Sequence, residues 1–378
     1  MAVASLLAGL YSAGCRQAAL SFDNWRPRRD AGHTLVPAAA DFGPTWRLDG
    51  PAALADAEAA AAQWLHAQTD SLVLIHSDLL VPTGLAISAA TGRRAVLVTH
   101  VLQGDQRRLH GLERPTASEL AQRAGLDAVD AVIAPSAFAA QRLAMETQDL
   151  PLVYLAPPPR RRPADVAPAA SDPAQLAATV DEAGPHLVYA GRFDAIKGID
   201  VLLEALPHLC AAVPTLRLTL AGGLPHNTRS DERWRRQIAL AAQRAGLRPS
   251  QLCLPGFVEH DTALSLLASA DVVVIPSRTE TYGQVAAEAM AAGRCVVASA
   301  VGALAQRLRH GVDALLVPAS DPAALAEALS RALTDPALRK LLGDAAAQAE
   351  AARPDPIAAW QAALGAIAQQ SPRRKIAV

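Results

Sequence analysis

Aromatic residues make up only 4% of the 378 positions, and the four cysteines, Cys15, Cys210, Cys253 and Cys295, include no C-x-x-C pair. The first scarcity argues against the stacking platforms that bind single-stranded nucleic acid. The second argues against a zinc site or a disulfide framework and fits a reducing, cytoplasmic setting. Excess charge is lacking as well. The formal net charge is −1, so no bulk basic field recruits nucleic acid or an anionic membrane, and an anionic ligand must be met by a local site. No apolar run approaches the roughly 20 residues of a spanning helix, which leaves peripheral membrane contact open. Three motifs are missing: G-x-G-x-x-G after a strand, the P-loop G-x-x-x-x-G-K-[ST], and any D-x-D triplet. The first two absences argue against a dinucleotide enzyme and a P-loop NTPase. The third means that a metal chelated to a diphosphate is not implied. The apolar start, Met1 to Cys15, ends Ser-Ala-Gly-Cys like a lipoprotein signal. It lacks a cationic beginning and carries Ser12 where an aliphatic residue belongs, so it reads as a buried first helix.

Hydrophobic residues, 51% of the chain and mostly Ala and Leu, are ample for large cores. The length suits about two domains. Short apolar runs alternate with helical stretches, the α/β pattern. Strands are expected at Gln17–Phe22, Ser71–His76, Ala95–His100, Ala131–Ala134 and Leu152–Leu155, and again at His186–Ala190, Arg217–Ala221, Gln251–Leu254, Val272–Ile275, Cys295–Ala298 and Ala314–Val317. Helical patterns fall between them: Ala53–Ala67, Ser118–Ala124, Ala137–Thr147, Val201–Leu209, Asp231–Ala245, Asp261–Ala268, Gln284–Ala292 and Pro322–Leu333. A last one follows at Pro356–Gln369. Near-continuous apolar strands are those of a parallel sheet covered on both faces. The proline-rich stretch Ala156–Pro173, with Arg160-Arg161-Arg162, reads as linker. The resulting architecture has a domain over residues 1–157, a linker over 158–184 and a second domain over 185–352. Residues 353–378 form a helix, open to crossing back onto the first domain, and a basic tail. Two doubly wound sheets of this kind bind ligands at the carboxyl ends of their strands.

Two segments carry chemistry. The first, Gly191-Arg192-Phe193-Asp194-Ala195-Ile196-Lys197-Gly198, follows a strand and precedes a helix. Its glycines allow close backbone approach. Its two cations suit a diphosphate, with arginine able to clamp two oxygens and lysine acting as a point charge. The second segment runs from Pro276 to Gly293. Glu280 sits on its loop and Glu288 in the helix that follows. Carboxylates accept hydrogen bonds from sugar hydroxyls, and the amides around Tyr282–Gln284 form a helix N-terminus that favours an anion. A nucleoside diphosphate sugar offers hydroxyls at each end and phosphates between.

These motifs resemble those of the retaining, two-domain (GT-B) glycosyltransferases of family 4. Gly191 to Gly198 is similar to that family's G-R-x-x-x-x-K-G, and Glu280 with Glu288 to its E-x7-E. The resemblance is close from Leu187 to about Leu333 and weaker from Ser71 to Leu155. It implies two Rossmann-like domains and metal-independent transfer of a sugar from a nucleoside diphosphate sugar, with no separate cofactor. The acceptor hydroxyl could belong to a lipid, a glycan or a small metabolite. The resemblance also implies roles. Arg192 and Lys197 bind the diphosphate and stabilise the leaving group, while Glu288 holds the ribose. Glu280 and the backbone of Tyr282, Gly283, Gln284 and Val285 hold the donor sugar, beside Gly191. Gly256, Phe257 and Val258 line the base pocket. His100 reaches the donor sugar, and His76, at another strand end, is the second candidate. The family's opening strand and glycine-rich loop are not recognisable here. Gly302-Ala303-Leu304-Ala305-Gln306 stands where G-G-x-P-E is usual, and Asp313-Ala314-Leu315 where N-G-L is usual. The missing loop keeps two alternatives in view, a non-catalytic nucleotide-sugar-binding protein and a phosphorylase or epimerase on the same fold.

Overall fold

The computed structural model describes residues 71–147, 149–159, 184–223 and 228–370, together with short pieces at 19–21, 45–47, 59–63 and 65–66. The expectations for the first helix, most of the linker and the basic tail lie outside the described residues. The chain divides into two compact units, one of Met1–Pro159 with Pro354–Val378 and one of Arg160–Arg353.

In the first unit, β1 (Ala19–Ser21) pairs in parallel with β2 (Thr45–Arg47). A separate parallel sheet runs β3 (Leu72–Ile75), β4 (Arg94–Val98), β5 (Ala131–Ala134) and β6 (Leu152–Leu155), in that order. The central strands β4 and β5 are buried on both faces, as their unbroken apolar runs require. Ala95, Leu97 and Val132 pack with Leu126 and Leu143 from the helices Ala117–Ala128 and Ala137–Ala144. The alternate residues Val96, Val98 and Ile133 pack against Trp360, Ala363 and Ile367 of the helix Pro356–Gln369. That last helix is fastened at both ends. The Trp360 Nε1–H donates to Pro157 O at 3.0 Å. At its carboxyl end, the Arg94 guanidinium donates to Ile367 O at 2.8 Å, to Ala368 O at 2.6 Å and to Gln370 O. Side-chain caps begin the helices Ala117–Ala128 and Ala137–Ala144: the Thr116 hydroxyl accepts from Glu119 N–H and the Ser136 hydroxyl from Ala139 N–H.

The second unit holds six parallel strands: β7 (His186–Ala190), β8 (Arg217–Ala221), β9 (Leu252–Gly256), β10 (Val272–Ile275), β11 (Cys295–Ser299) and β12 (Leu315–Val317). Their order across the sheet is β12-β11-β10-β7-β8-β9. This is the doubly wound order in which the first and fourth strands lie side by side and the winding reverses between them. Alternation again sends residues to opposite cores. Val272, Val274, Cys295 and Val297 enter one, and Val273, Ile275, Val296 and Ala298 the other.

The expected strands lie within a residue or two of those observed. The expected strand Gln251–Leu254 shifts. Gln251 ends a short 3-10 turn and donates from its amide to the Pro214 and Leu216 carbonyls, so the strand starts at Leu252. Pro255 is tolerated because β9 is an edge strand. The Ser118–Ala124 pattern widens to Ala117–Ala128, and Ala137–Thr147 shortens to Ala137–Ala144. Among the described residues, the helices Val81–Thr91, Gln103–Leu109, Gly302–Arg307 and Pro336–Ala351 are additional.

Candidate active site

In the second unit, the two motif segments leave adjacent strands, β7 and β10, at the point where the winding reverses. The ligand crevice of a doubly wound sheet lies outside the carboxyl ends of such a pair. Their proximity is close. Gly198 has φ +67°, and a Cβ added there would lie 1.9 Å from Pro276 O. The Arg278 N–H donates to Ile196 O at 2.8 Å. Lys197 Nζ donates to Glu280 Oε1 at 2.5 Å, and the Ser277 hydroxyl donates to the same oxygen at 3.1 Å.

Asp194 knits the first loop together. Its Oδ1 accepts from Lys197 N–H at 2.9 Å, and its Oδ2 lies 3.1 Å from the guanidinium of Arg192. The Arg192 side chain is 47% exposed, so its charge is presented to solvent. Beneath it, the Tyr189 hydroxyl donates to Arg192 O at 2.6 Å. Burial drives the Tyr189 phenol well above its ordinary range, so the hydroxyl stays neutral. Gly191 N–H donates to Ala221 O, and Gly222 N–H donates to Gly256 O. A Cβ on Gly222 would lie 1.9 Å from Gly191 O. Thus Gly191, Gly222 and Gly256 line up where β7, β8 and β9 end. Gly222 was not singled out in the sequence; its signal was the Gly222-Gly223 pair directly after a strand.

The second loop ends at Gly283, the N-cap of the helix Gln284–Ala291, with φ +80°. Glu288 is buried, 3% exposed. Its Oε1 accepts from Gln284 Nε2 at 2.8 Å and lies 3.5 Å from His260 Nε2. Desolvation pushes its carboxyl up to about 7, against the opposing hydrogen bond from Gln284. Two expected residues offer only their backbone. The Tyr282 ring is packed beneath the Arg307 guanidinium, 4.4 Å from its centroid, and Val258 packs on the core. Phe257 is 42% exposed and Gln284 is tied to Glu288. Arg307 in turn is held by Glu350 at 2.6 Å, and Glu350 also pairs with Arg353 at 3.0 Å. Neither His260 nor this ion cluster had a signal in the sequence.

His76 and His100 belong to the first unit, where the structure brings them together. His76 Nδ1 lies 3.0 Å from His100 Nε2, and the rings stack with centroids 5.3 Å apart. Burial lowers His76 to about 3 and His100 to about 4, so both are neutral at physiological pH.

Comparison with known proteins decides the family. A D-inositol 3-phosphate glycosyltransferase of Xylanimonas cellulosilytica is 31% identical over 319 residues, covering 83% of this chain and 70% of that protein. A family model described as glycosyl transferases group 1 matches residues 184–335. The chain belongs to the group 1 glycosyltransferases. A glycogen synthase of Mycobacterium tuberculosis is 35% identical over 195 residues, 51% of this chain and 44% of that one. Among solved structures, a sucrose-phosphate synthase from Thermosynechococcus elongatus superposes with a TM-score of 0.75. It is 27% identical and covers 97% of this chain and 91% of its own. The Anabaena HepE protein, crystallised with UDP and glucose, gives a TM-score of 0.72 at 17% identity and covers 94% and 100% of the two chains. The fold is therefore GT-B, and the protein is a glycosyltransferase.

Proposed function

We propose that this glycosyltransferase moves a sugar, with retention of configuration, from a nucleoside diphosphate sugar to an acceptor hydroxyl, without a metal at the diphosphate. The observation that supports this most is the pairing of the Gly191–Gly198 loop with the Glu280 loop across the reversal point of one sheet. Arg192 and Lys197 bind the diphosphate and meet the charge that develops on it as it leaves. The amides at Gly283 and Gln284 add their dipoles. In the absence of donor, Glu280 holds Lys197; with donor bound, Glu280 turns to a sugar hydroxyl. Glu288, beside Gln284, takes the ribose hydroxyls, and Gly256, Phe257 and Val258 border the base. His100, with His76 as the second candidate, contacts the donor sugar. The bond from the anomeric carbon to phosphate oxygen breaks, and its electron pair stays on the phosphate. The acceptor oxygen bonds on the same face and gives its proton to that phosphate.

The donor is a nucleoside diphosphate sugar by this chemistry, and HepE with its UDP and glucose makes UDP-sugars the first to test. The acceptor is a lipid, a glycan or a small metabolite, and a relative named for inositol 3-phosphate places a phosphorylated polyol among the first acceptors to try. No described helix is long and apolar enough to cross a membrane. Cys210 and Cys295, which form no disulfide among the described residues, suit the cytoplasm. A panel of UDP-, GDP-, ADP- and dTDP-sugars, read by donor hydrolysis and thermal stabilisation, tests the reading. Stabilisation and slow hydrolysis by one donor class is expected. Stabilisation without turnover under any acceptor would favour a non-catalytic binding protein.

A further inference from the structure

The paired histidines of the first unit have an internal asymmetry that assigns their protons. His76 Nδ1 and His100 Nε2 share one hydrogen bond at 3.0 Å. The remaining nitrogen of His76, Nε2, is buried and has no hydrogen-bond partner among the described residues. The indole of Trp360 stacks on the same ring, with centroids 6.3 Å apart and planes 23° apart. A neutral imidazole has one N–H and one lone pair. If His76 carried its proton on Nε2, a donor would be buried with nothing to receive it. Orphaned N–H groups are rarer in proteins than under-used acceptors. With the proton on Nδ1, the N–H is spent on His100 and only a lone pair faces the apolar side. His100 must then accept at Nε2, which leaves its own proton on Nδ1.

We infer that His76 is a positioning residue that fixes His100 as the Nδ1–H tautomer, so that His100 serves as a hydrogen-bond donor through Nδ1 and not as a general base. Trp360 fixes the plane of His76 and is itself anchored through its own N–H to Pro157 O. The segment after His100 is held independently. The Gln122 amide donates to Val101 O at 2.7 Å and to Asp78 Oδ1 at 3.1 Å, while its oxygen accepts from Gln103 N–H at 3.1 Å. The ring of His100 therefore has its backbone clamped on one side and its tautomer set on the other. The tautomer assignment stands on this geometry alone. Its consequence for turnover rests on the proposal that His100 contacts the donor sugar.

Two measurements on the full chain test it. In the wild-type protein labelled with 15N-histidine, the ring nitrogens of His76 and His100, assigned with the single variants His76→Gln and His100→Gln, report their protonation by NMR. Protons on Nδ1 of both residues are expected at neutral pH. A proton on Nε2 of either would overturn the assignment. Turnover is read with whichever donor the panel identifies. His76→Phe keeps the stacked ring but removes the donor to His100, and its kcat should fall about threefold to tenfold with KM little changed. His76→Gln, which carries an N–H, should recover part of that loss. An equal loss in both variants, with unchanged His100 nitrogen shifts, would make His76 a packing residue only. If His100→Gln leaves turnover unaltered while the wild-type shifts are as expected, the proposed sugar contact of His100 fails and the tautomer assignment survives.

Discussion

Lys197 and Glu280, 83 residues apart, share a 2.5 Å contact at the ends of neighbouring strands. The ammonium is thereby aimed over the crevice, held by a carboxylate that is 11% exposed. Lys197→Ala removes the cation proposed for the diphosphate. A charge-assisted hydrogen bond of about 1.5–3 kcal/mol corresponds to a roughly tenfold to hundredfold loss of donor turnover. Arg192→Ala should act in the same direction. Initial rates with the identified donor check both, and unchanged kinetics in both variants would remove the diphosphate assignment.

Glu288 makes stability depend on pH. Its folded carboxyl sits at about 7, above the ordinary glutamate value of 4.5, because burial disfavours the charged form. Between those values the native state holds the proton and the unfolded chain does not. Stability from this group is therefore complete below about 4.5 and declines as pH rises to about 7, where the loss levels off. A shift of this size is on the order of 3 kcal/mol. Glu288→Gln should raise Tm relative to the parent at pH 8 but scarcely at pH 4.5. A Tm difference that is flat across this range would contradict the burial argument.

Gly198→Ala should be costly. The left-handed φ alone penalises an L side chain by about 1–2 kcal/mol, and the added carbon would overlap Pro276 O. The lower urea midpoint should come with loss of nucleotide-dependent stabilisation, because the same approach joins the two loops. A variant with a normal midpoint would mean that the loops part without penalty.

Arg94→Ala removes donors from three carbonyls at the end of the helix Pro356–Gln369. We expect a loss of about 1–2 kcal/mol and faster amide exchange over the last turn. Exchange that is unchanged there would show that the helix end is held by packing alone.

Much of the fold could be read because Val272–Ile275, Ala131–Ala134 and His186–Ala190 are unbroken apolar runs between turn signals. Such runs mark strands, but lateral order leaves no trace in periodicity, so the adjacency of β7 and β10 emerged only in the structure. The helix Val81–Thr91 was missed because it has no clear polar face: its Gly84 packs directly on Ile75. The helix Pro336–Ala351 was missed because Asp335-Pro336 resembles a break. Asp335 in fact ends one helix and caps the next, its carboxylate accepting from Leu338 N–H. In the site, the residue types of Arg192, Lys197, Glu280 and Glu288 announced themselves through spacing. That the Tyr282 ring lies under Arg307 did not, since Arg307 depends on Glu350, 43 residues further on.

The last helix bears on how the molecule is made. Arg160–Arg353 is threaded between two parts of the other unit, and Trp360, Ala363 and Ile367 complete a sheet whose strands are translated some 200 residues earlier. A ribosome delivers the Arg160–Arg353 unit whole while the earlier unit still lacks one wall. The N-terminal half must therefore wait, with Val96, Val98 and Ile133 uncovered, for the final helix to emerge. For this chain the order of synthesis and the order of completion are reversed.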